Sequence, residues 1–390
     1  MIKTFKYKLY HSKKNKYLNE QTKIAGNIYN HCIALKKRYY KMYGKSLNKF
    51  RLQKHITKLK KMDKHLFWNK VNAQAIQNIT DRIEKGYEAF FTNCKKKVKT
   101  RKVSPPSFKK ARNYSSITFK QDGYKVLPFN HVKINKRIYK YWKSREMKGE
   151  VKCVTVKKDK LGDWYIYFIC ELENDSKLIS MTGKTAGFDF GCTDFLVQND
   201  GNKIESPLFF KQNRKKIAKA NRSLSRKTKY SNNHQRAKHQ LAKLHKKVAN
   251  QRSDYHFKLA KTLCETYDVM FFETLDIQSM KAKHGKKIND LGFSNFVRIL
   301  ENKALEYGKT IHHIDKWFAS TKTCNICGYK NDALTERDRT WICPECSTSH
   351  NRDINAAVNI INKGNKELMD GASSNWIENI SLGVSQAVLA

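Results

Sequence analysis

Four cysteines in the last quarter of the chain constrain its fold more than any other feature. Cys324 and Cys327 form one C-x-x-C pair, and Cys343 and Cys346 form a second pair after fifteen intervening residues. This spacing is typical of a ribbon in which two knuckles hold one tetrahedral Zn²⁺ through four thiolates. Since sulfur fills all four positions, the predicted zinc is structural. The redox alternative is weak because no thioredoxin-like βαβ pattern surrounds the pairs.

The other cysteines and nearby histidines give no further ligands. Six cysteines are scattered singly in largely apolar segments, which is typical of small core residues. His312, His313 and His350 lie close to the cysteine pairs in sequence, but a histidine on a strand or in a loop is more often a hydrogen-bonded surface residue. The sequence therefore predicts four sulfur ligands and no histidine ligand.

The charge of the chain indicates its partner. Its 79 Lys and Arg against 34 Asp and Glu give a formal net charge of +45, which a compact protein tolerates best beside a polyanion. No apolar run of about 18 residues is present, and the N-terminus lacks the apolar core of a signal peptide. We therefore expect a soluble cytoplasmic protein without a membrane partner, associated with the nucleoid if its source is a prokaryote or phage, and bound to nucleic acid.

The N-terminal half combines strand and helix patterns. "TFKYKLY" alternates apolar and basic residues as a half-buried strand does, and helical periodicity follows from Ile24 to Phe90. A Lys-rich linker with two prolines leads to further strand-like segments, including "EVKCVTVKK" and "WYIYFICEL". Because strands bracket the helices, we predict a barrel-like domain with an inserted helical block.

The second half has the element order of a ribonuclease-H-like fold. Three strand patterns begin near Thr182, and a long basic helical segment, residues 211–263, follows them. The apolar run "YDVMFFETL" then predicts a strand buried on both faces, and a helix, another strand, the cysteine module and a final helix complete the chain. The order predicts a mixed sheet flanked by helices.

The basic segment contains no acid between Glu205 and Asp254. A solvated helix face is the usual explanation for a charge run, but without acids for i to i+4 pairing such a helix repels itself. We therefore predict that it contacts nucleic-acid phosphates. The six basic residues predicted to make these contacts are Lys215, Lys216, Lys219, Arg222, Arg226 and Lys227.

Three acids are candidates for metal-dependent chemistry. Asp189 lies inside an apolar strand pattern, Glu273 near the end of the buried strand and Asp353 at a helix start. A buried carboxylate is unfavourable unless it faces a cation, and converging carboxylates hold two Mg²⁺ ions for phosphodiester hydrolysis. The alternatives are a turn residue, a strand end and a helix N-cap. Their joint occurrence in this order favours a nuclease.

Several motifs resemble those of the TnpB family, the transposon-encoded relatives of type V CRISPR effector nucleases. They are "GFDFG", "FFETLDIQSMK", "STKTCNICGYKN", "WICPEC" and "HNRDINAAVNI". The resemblance implies RNA-guided DNA cleavage next to a short flanking motif, with guide RNA and double-stranded DNA as partners, in a monomer or a dimer. It places the catalytic acids at Asp189, Glu273 and Asp353. Ser347 departs from the family pattern, where glycine commonly follows the last cysteine.

The combined prediction is an α+β multidomain protein: a β-barrel-like wedge domain with an inserted helical recognition domain, then an RNase-H-like (RuvC) nuclease with an inserted zinc ribbon. The predicted bounds are a wedge strand at 1–14, recognition helices at 15–105, the wedge at 106–180, RuvC at 181–316, the ribbon at 317–349, the final RuvC helix at 350–365 and a possibly disordered tail at 366–390. A guided DNA-binding regulator without cleavage, a transposase and a transposase accessory protein are the alternative functions.

Overall fold

A computed structural model of the chain describes residues 2–95, 103–110, 113–172, 180–335 and 337–371. The chain divides into two compact units, residues 1–174 and residues 175–390. Each unit contains helices and a sheet of its own, so the predicted α+β class is confirmed. Among the described residues, none of the helices has the length and apolar character needed to cross a membrane.

A seven-stranded antiparallel sheet forms the base of the first unit. Its strands are β1 (Ile2–Leu9), β2 (Ser116–Lys120), β3 (Tyr124–Leu127), β4 (His131–Ile134), β5 (Arg137–Trp142), β6 (Glu150–Lys158) and β7 (Trp164–Glu171). They are ordered β2-β6-β7-β1-β5-β4-β3. Between β1 and β2 lie the helices α1 (Asn15–Tyr43), α2 (Lys49–Leu59) and α3 (Ala73–Lys95), with a 3₁₀ helix at Asp63–Lys70.

The sheet curves into a half-barrel. Its two edge strands, β2 and β3, are consecutive in the chain and joined only by Gln121–Gly123, so the edges must approach each other at one end. The Tyr124 hydroxyl on β3 donates a hydrogen bond to the Val151 carbonyl on β6 at 2.6 Å. The inserted helices share one apolar core with this sheet, in which Leu18 and Ile28 join Phe168. The half-barrel sheet agrees with the predicted barrel-like sheet, and the helices α1 to α3 lie between its strands β1 and β2 in the chain.

The second unit contains the predicted mixed sheet. Its strands are β8 (Thr185–Phe190), β9 (Asp194–Gln198), β10 (Lys203–Glu205), β11 (Val269–Glu273) and β12 (Thr310–Ile314). They are ordered β10-β9-β8-β11-β12; the first three pair antiparallel, and β8, β11 and β12 pair parallel. Two further strands, β13 (Thr340–Ile342) and β14 (Ser349–Asn351), pair separately within the cysteine module.

Five helices of the second unit are described: α4 (Phe209–Ser225), α5 (Asn232–Thr266), α6 (Ile277–Leu291), α7 (Phe293–Tyr307) and α8 (Arg352–Gly371). The basic segment predicted at 211–263 is two helices, with a break at residues 226–231. The final helix ends at Gly371, six residues beyond the bound predicted from sequence. The tail from residue 372 onward lies outside the described residues.

Both faces of β11 are covered, which explains its apolar sequence. Met270 and Phe272 pack in the larger core with α5 and α7, whereas Val269 and Phe271 pack against Ile360 of α8. On neighbouring β8, a Cβ at Gly187 would overlap the carbonyl of Ala357 in α8. Gly187 therefore lets the helix lie directly on the strand.

Candidate active site

Asp189 and Glu273 lie side by side at the ends of two parallel strands. In β8, Phe188 and Phe190 face the larger core, so Asp189 between them faces α8. Phe188 stands opposite Phe272 in the β8–β11 ladder, which places Asp189 and Glu273 one step further on as neighbours. Asp353 lies in the first turn of α8, the helix that covers this face. The structure thus brings the three predicted acids to one place.

The surroundings of Asp189 disfavour its ionised form. Burial raises the pKa of Asp189 well above its ordinary value, and the Glu273 and Asp353 carboxylates raise it further. The Arg352 guanidinium and the backbone N–H of Phe190 act in the opposite direction. Burial also raises the pKa of Glu273. Buried carboxylates that repel one another are suited to a bound cation, which would relieve both penalties.

Asp189→Asn is expected to raise the apparent melting temperature of the protein by a few degrees at pH 7.5 in the absence of Mg²⁺. Because the folded-state pKa of Asp189 is raised, its ionised form destabilises the fold at neutral pH. This penalty disappears as the pH falls toward the ordinary Asp value of about 4. Thermal unfolding at pH 7.5 and at pH 5.5, without added Mg²⁺ and without a chelator that would remove the proposed zinc, measures the decrease of this penalty. Asp254→Asn, on an exposed helix face, is the control, and a D189N protein no more stable than wild type contradicts the prediction.

Asp353 is not the N-cap of its helix. The Asn351 side-chain oxygen accepts the backbone N–H groups of Asp353 and Ile354, each at 3.2 Å, so Asn351 does the capping. The Asp353 carboxylate instead accepts Arg339 Nη1 at 2.8 Å and Arg352 Nη2 at 3.1 Å. The alternative of a simple helix cap therefore does not explain Asp353. Neither arginine was predicted, because the chain contains so many basic residues that the sequence does not mark the two that contact Asp353.

The three acids do not form a closed ligand set in this arrangement. Within the described ranges, the four cysteines are the only group of three or more possible ligands whose donor atoms all lie within 4.8 Å of one another. The Glu273 and Asp353 carboxylates lie near enough to Asp189 to raise its pKa.

The four predicted cysteines form a compact sulfur cluster. Cys324 Sγ lies 3.7 Å from Cys346 Sγ, and Cys327 Sγ lies 3.6 Å from Cys343 Sγ. These distances are far beyond a disulfide bond and agree with the separation of about 3.8 Å that a tetrahedral Zn–S distance of 2.3 Å gives. Hydrogen bonds from Thr348 lower the pKa of the Cys346 thiol to about 6, so this sulfur is ready to act as a thiolate. The donor set fits one zinc ion.

Both knuckles end in the same backbone conformation. Gly328 follows the first cysteine pair with φ of 79°, and Ser347 follows the second with φ of 56°. Glycine adopts this left-handed conformation with the least strain. The departure at Ser347 thus places a serine where the backbone favours glycine, without changing the knuckle.

The prediction that His350 is a surface residue is wrong. Its side chain is buried, its ring packs on Trp341 with centroids 4.8 Å apart, and its Nε2 lies 3.1 Å from Cys324 Sγ. It lies beside the sulfur cluster rather than in it, as a support for one ligand. His312 Nε2 lies 2.8 Å from a Glu367 carboxylate oxygen, and His313 Nε2 lies 3.4 Å from a Glu301 carboxylate oxygen.

Two asparagines join the cysteine module to α8. Asn355 accepts the N–H of Asn325 at 3.0 Å and donates to the Thr323 carbonyl at 2.7 Å. Asn359, one turn later, donates to the Ser320 and Thr323 carbonyls. Both side chains are buried, so the first knuckle is fixed to α8, which carries Asp353 in its first turn. The sequence analysis did not single out these two asparagines. Their spacing, with polar residues at i and i+4 on the apolar face of this helix, is the signal that could have revealed them.

The six predicted nucleic-acid contacts are exposed on α4 and the turn after it. The base of this helix is held by a distant acid, because the buried Asp290 carboxylate accepts the N–H groups of Phe210 and Lys211 at 2.8 and 2.9 Å. In the second helix, Arg252 donates to the carbonyls of Asn289 and Asp290. Hydrogen bonds to Asn289 and Asp290 therefore hold both basic helices in place.

Two family models match the second half of the chain. The model described as "Probable transposase" (OrfB_IS605) matches residues 167–284, and the model described as "Cas12f1-like, TNB domain" matches residues 293–360. The first match contains Asp189 and Glu273. The second contains the four cysteines and Asp353.

Curated relatives extend over most of the chain. "Putative RNA-guided DNA endonuclease" of Streptomyces pristinaespiralis is 29% identical over 314 residues, which cover 79% of this chain and 76% of the relative. "Putative RNA-guided DNA endonuclease InsQ" of Escherichia coli strain K12 is 28% identical over 323 residues, 77% and 76% of the two chains. A solved structure, "Structure of the mini-RNA-guided endonuclease CRISPR-Cas_phi3", is similar in fold with a TM-score of 0.50 at 10% identity, covering 93% of this chain and 92% of its own.

Proposed function

We propose that this chain, which belongs to the TnpB family, is a transposon-associated RNA-guided endonuclease that hydrolyses phosphodiester bonds of target DNA. The observation that carries the proposal is the meeting of Asp189, Glu273 and Asp353 on the α8 face of the mixed sheet. Relatives of similar length bear the name RNA-guided DNA endonuclease. In this proposal, the half-barrel corresponds to the wedge domain of the family, α1 to α3 to its recognition helices, and the second unit to its RuvC nuclease with an inserted zinc ribbon.

The acids fit magnesium as the cofactor. Carboxylate oxygens are the ligands that Mg²⁺ prefers, and two bound ions supply an activated water and stabilise the leaving oxygen of the phosphodiester. Asp189, the most buried of the three, would hold the ions together with Glu273 and Asp353. Packing between the sheet and α8 orients Asp189 and Glu273, and the capped first turn of α8 orients Asp353.

The four thiolates are proposed to hold one structural zinc ion. Since the first knuckle is bonded to Asn355 and Asn359, an ordered ribbon stabilises the start of α8. These contacts give a structural reason why the cysteine module directly precedes the helix that carries Asp353. The ribbon fixes the helix that carries the third acid.

The exposed basic residues of α4 are proposed to bind phosphates of the guide RNA and of its duplex with target DNA. Such binding recognises backbone shape, while base pairing supplies sequence. The lysines of α4 are all exposed, and no acid lies within the basic run to neutralise them. A polyanion is the partner of suitable charge.

Charge reversal of Lys215, Lys216 and Lys219 to Glu is expected to weaken RNA binding for all guides alike and to flatten its salt dependence. Each lost phosphate contact lowers the slope of log K against log salt by about 0.7 to 0.9. Binding titrations at several salt concentrations measure this slope. Reversal of Lys258 and Lys261 on α5, which already pair with Asp254 and Glu265, is the control. An unchanged slope in the triple variant would identify a merely solvated face.

Sequencing of the RNA that copurifies with the protein tests the proposed function. We expect one dominant RNA species with a segment complementary to the cleaved DNA. Replacing that segment should redirect cutting to a new matched duplex. Cutting that does not follow the new segment would exclude RNA guidance, and retention of the duplex without cutting under Mg²⁺ or Mn²⁺ would favour the guided regulator.

A further inference from the structure

We propose that Arg339 is a latch on the third acid: it holds the Asp353 carboxylate until a phosphate of the entering nucleic-acid strand takes the place of that carboxylate. This inference rests on the proposed nuclease function and adds a residue that controls when the site is completed. Arg339 acts through Asp353 and is therefore a positioning residue.

Asp353 is fully engaged by cations from its own chain. Its Oδ2 accepts Arg339 Nη1 at 2.8 Å, and its Oδ1 accepts Arg352 Nη2 at 3.1 Å, in a side chain that is 16% exposed. Hydrogen bonds between ionised groups are about twice as strong as neutral ones. A carboxylate held in this way on both oxygens is a poor ligand for a further cation. This agrees with the absence of the three acids from the compact ligand groups among the described residues.

The two arginines differ in their freedom to move. Arg352 is 13% exposed and is anchored by a second hydrogen bond, from Nη1 to the Thr335 carbonyl at 3.0 Å. The Arg339 side chain is 54% exposed, and its other hydrogen bond, to Thr193 Oγ1, is 3.5 Å long. Arg339 is therefore less constrained than Arg352 and is the partner that can leave Asp353 for solvent or another anion.

The backbone of Arg339 is held by a hydrogen bond, whereas its side chain is more than half exposed. Its carbonyl accepts the N–H of Arg352 at 2.9 Å, and β13 begins at the next residue. Cys343, a member of the sulfur cluster, lies four residues further on. The ribbon thus holds one half-exposed guanidinium beside the acids, where the strand to be cut must lie.

A phosphate is the partner for which Arg339 would exchange. The guanidinium fork binds phosphate oxygens with two parallel hydrogen bonds, as it binds carboxylates. Once Arg339 contacts a strand phosphate, Asp353 keeps only Arg352, and its Oδ2 is free to bind a cation beside Asp189 and Glu273. The affinity of the site for a divalent cation then rises, so strand arrival and metal binding support each other.

The test measures Mn²⁺ binding to the guide-loaded protein without DNA, by electron paramagnetic resonance of the free ion. The acid site is defined as the binding that Asp189→Ala removes. Arg339→Ala is expected to tighten this binding about tenfold, because it removes one charge-assisted bond to Asp353. Arg339→Lys should lie between wild type and R339A. Arg337→Ala, an exposed arginine two residues earlier, should match wild type.

Added DNA provides the second measurement. A guide-matched strand should tighten Mn²⁺ binding in wild type and have little further effect in R339A, which should also cut more slowly at saturating Mn²⁺ because the phosphate contact is lost. Unchanged or weaker Mn²⁺ binding in R339A would overturn the latch. Because the comparison without DNA needs no cleavage, it separates failure of the latch from failure of the nuclease proposal.

Discussion

Asp189→Ala is expected to reduce cleavage of a guide-matched duplex by several orders of magnitude and to leave duplex binding unchanged. The most buried of the carboxylates that would hold the metal ions is lost, so the site would lose the ions that would supply the hydrolytic chemistry. The exposed basic residues of α4, which are proposed to hold the nucleic acid, are untouched. Cleavage and retention of the same labelled duplex, measured in parallel with Mg²⁺, test the prediction.

A control substitution distinguishes the loss of a proposed metal ligand from the loss of a carboxylate elsewhere in the same unit. Asp332→Ala removes an exposed carboxylate of the cysteine module that pairs with Lys322 and Lys330, and it should cut like wild type. Wild-type products should carry 5′-phosphates. Persistent cutting by D189A would show that Asp189 is assigned wrongly, and loss of binding together with cutting would indicate a folding defect in place of a chemical one.

Cys343→Ser is expected to abolish zinc binding and to destabilise the ribbon by about 4 kcal/mol or more, the range associated with loss of a structural metal. Cys343 is completely buried, so the change also leaves a hydroxyl among three sulfurs. Elemental analysis should fall from about one zinc per chain to nearly none, and the melting temperature should fall with it. Cleavage should decrease too, because the ribbon supports the start of α8 through Asn355 and Asn359.

Cys264→Ser provides the comparison for this change. Cys264 is equally buried but lies on α5, where burial raises its pKa to about 11 and keeps the thiol neutral. Its substitution should cause a smaller loss of stability and leave the zinc content unchanged. Zinc-free wild-type protein with full stability would contradict a structural role for the metal.

The sequence determined the features that depend on local spacing or on a single residue in an unfavourable setting. The two cysteine pairs predicted the sulfur cluster because ligand spacing within a knuckle is set by a few residues of backbone. The run "VMFF" predicted a strand covered on both faces, since only such a strand excludes polar residues from both. An aspartate between phenylalanines predicted a functional acid, because burying Asp189 raises its pKa and needs compensation.

Other features were beyond the reach of sequence because they join residues that are far apart in the chain. Asp290 caps α4 from eighty residues away, and the curvature of the half-barrel follows from strand order. His350 is buried because β14 pairs with β13 and places its ring on Trp341, beside Cys324.

The division between sequence and structure is clearest at Asp353. Local sequence marked it as an acid at a helix start and left open whether it was only a cap. Tertiary packing decided its surroundings by placing Asn351 as the cap and Arg339 and Arg352 on the carboxylate. Because the chain contains 79 Lys and Arg, the sequence cannot show which two of them contact Asp353. Periodicity and spacing act over a few residues, whereas partners of this kind are chosen by sheet register and helix packing across the whole unit.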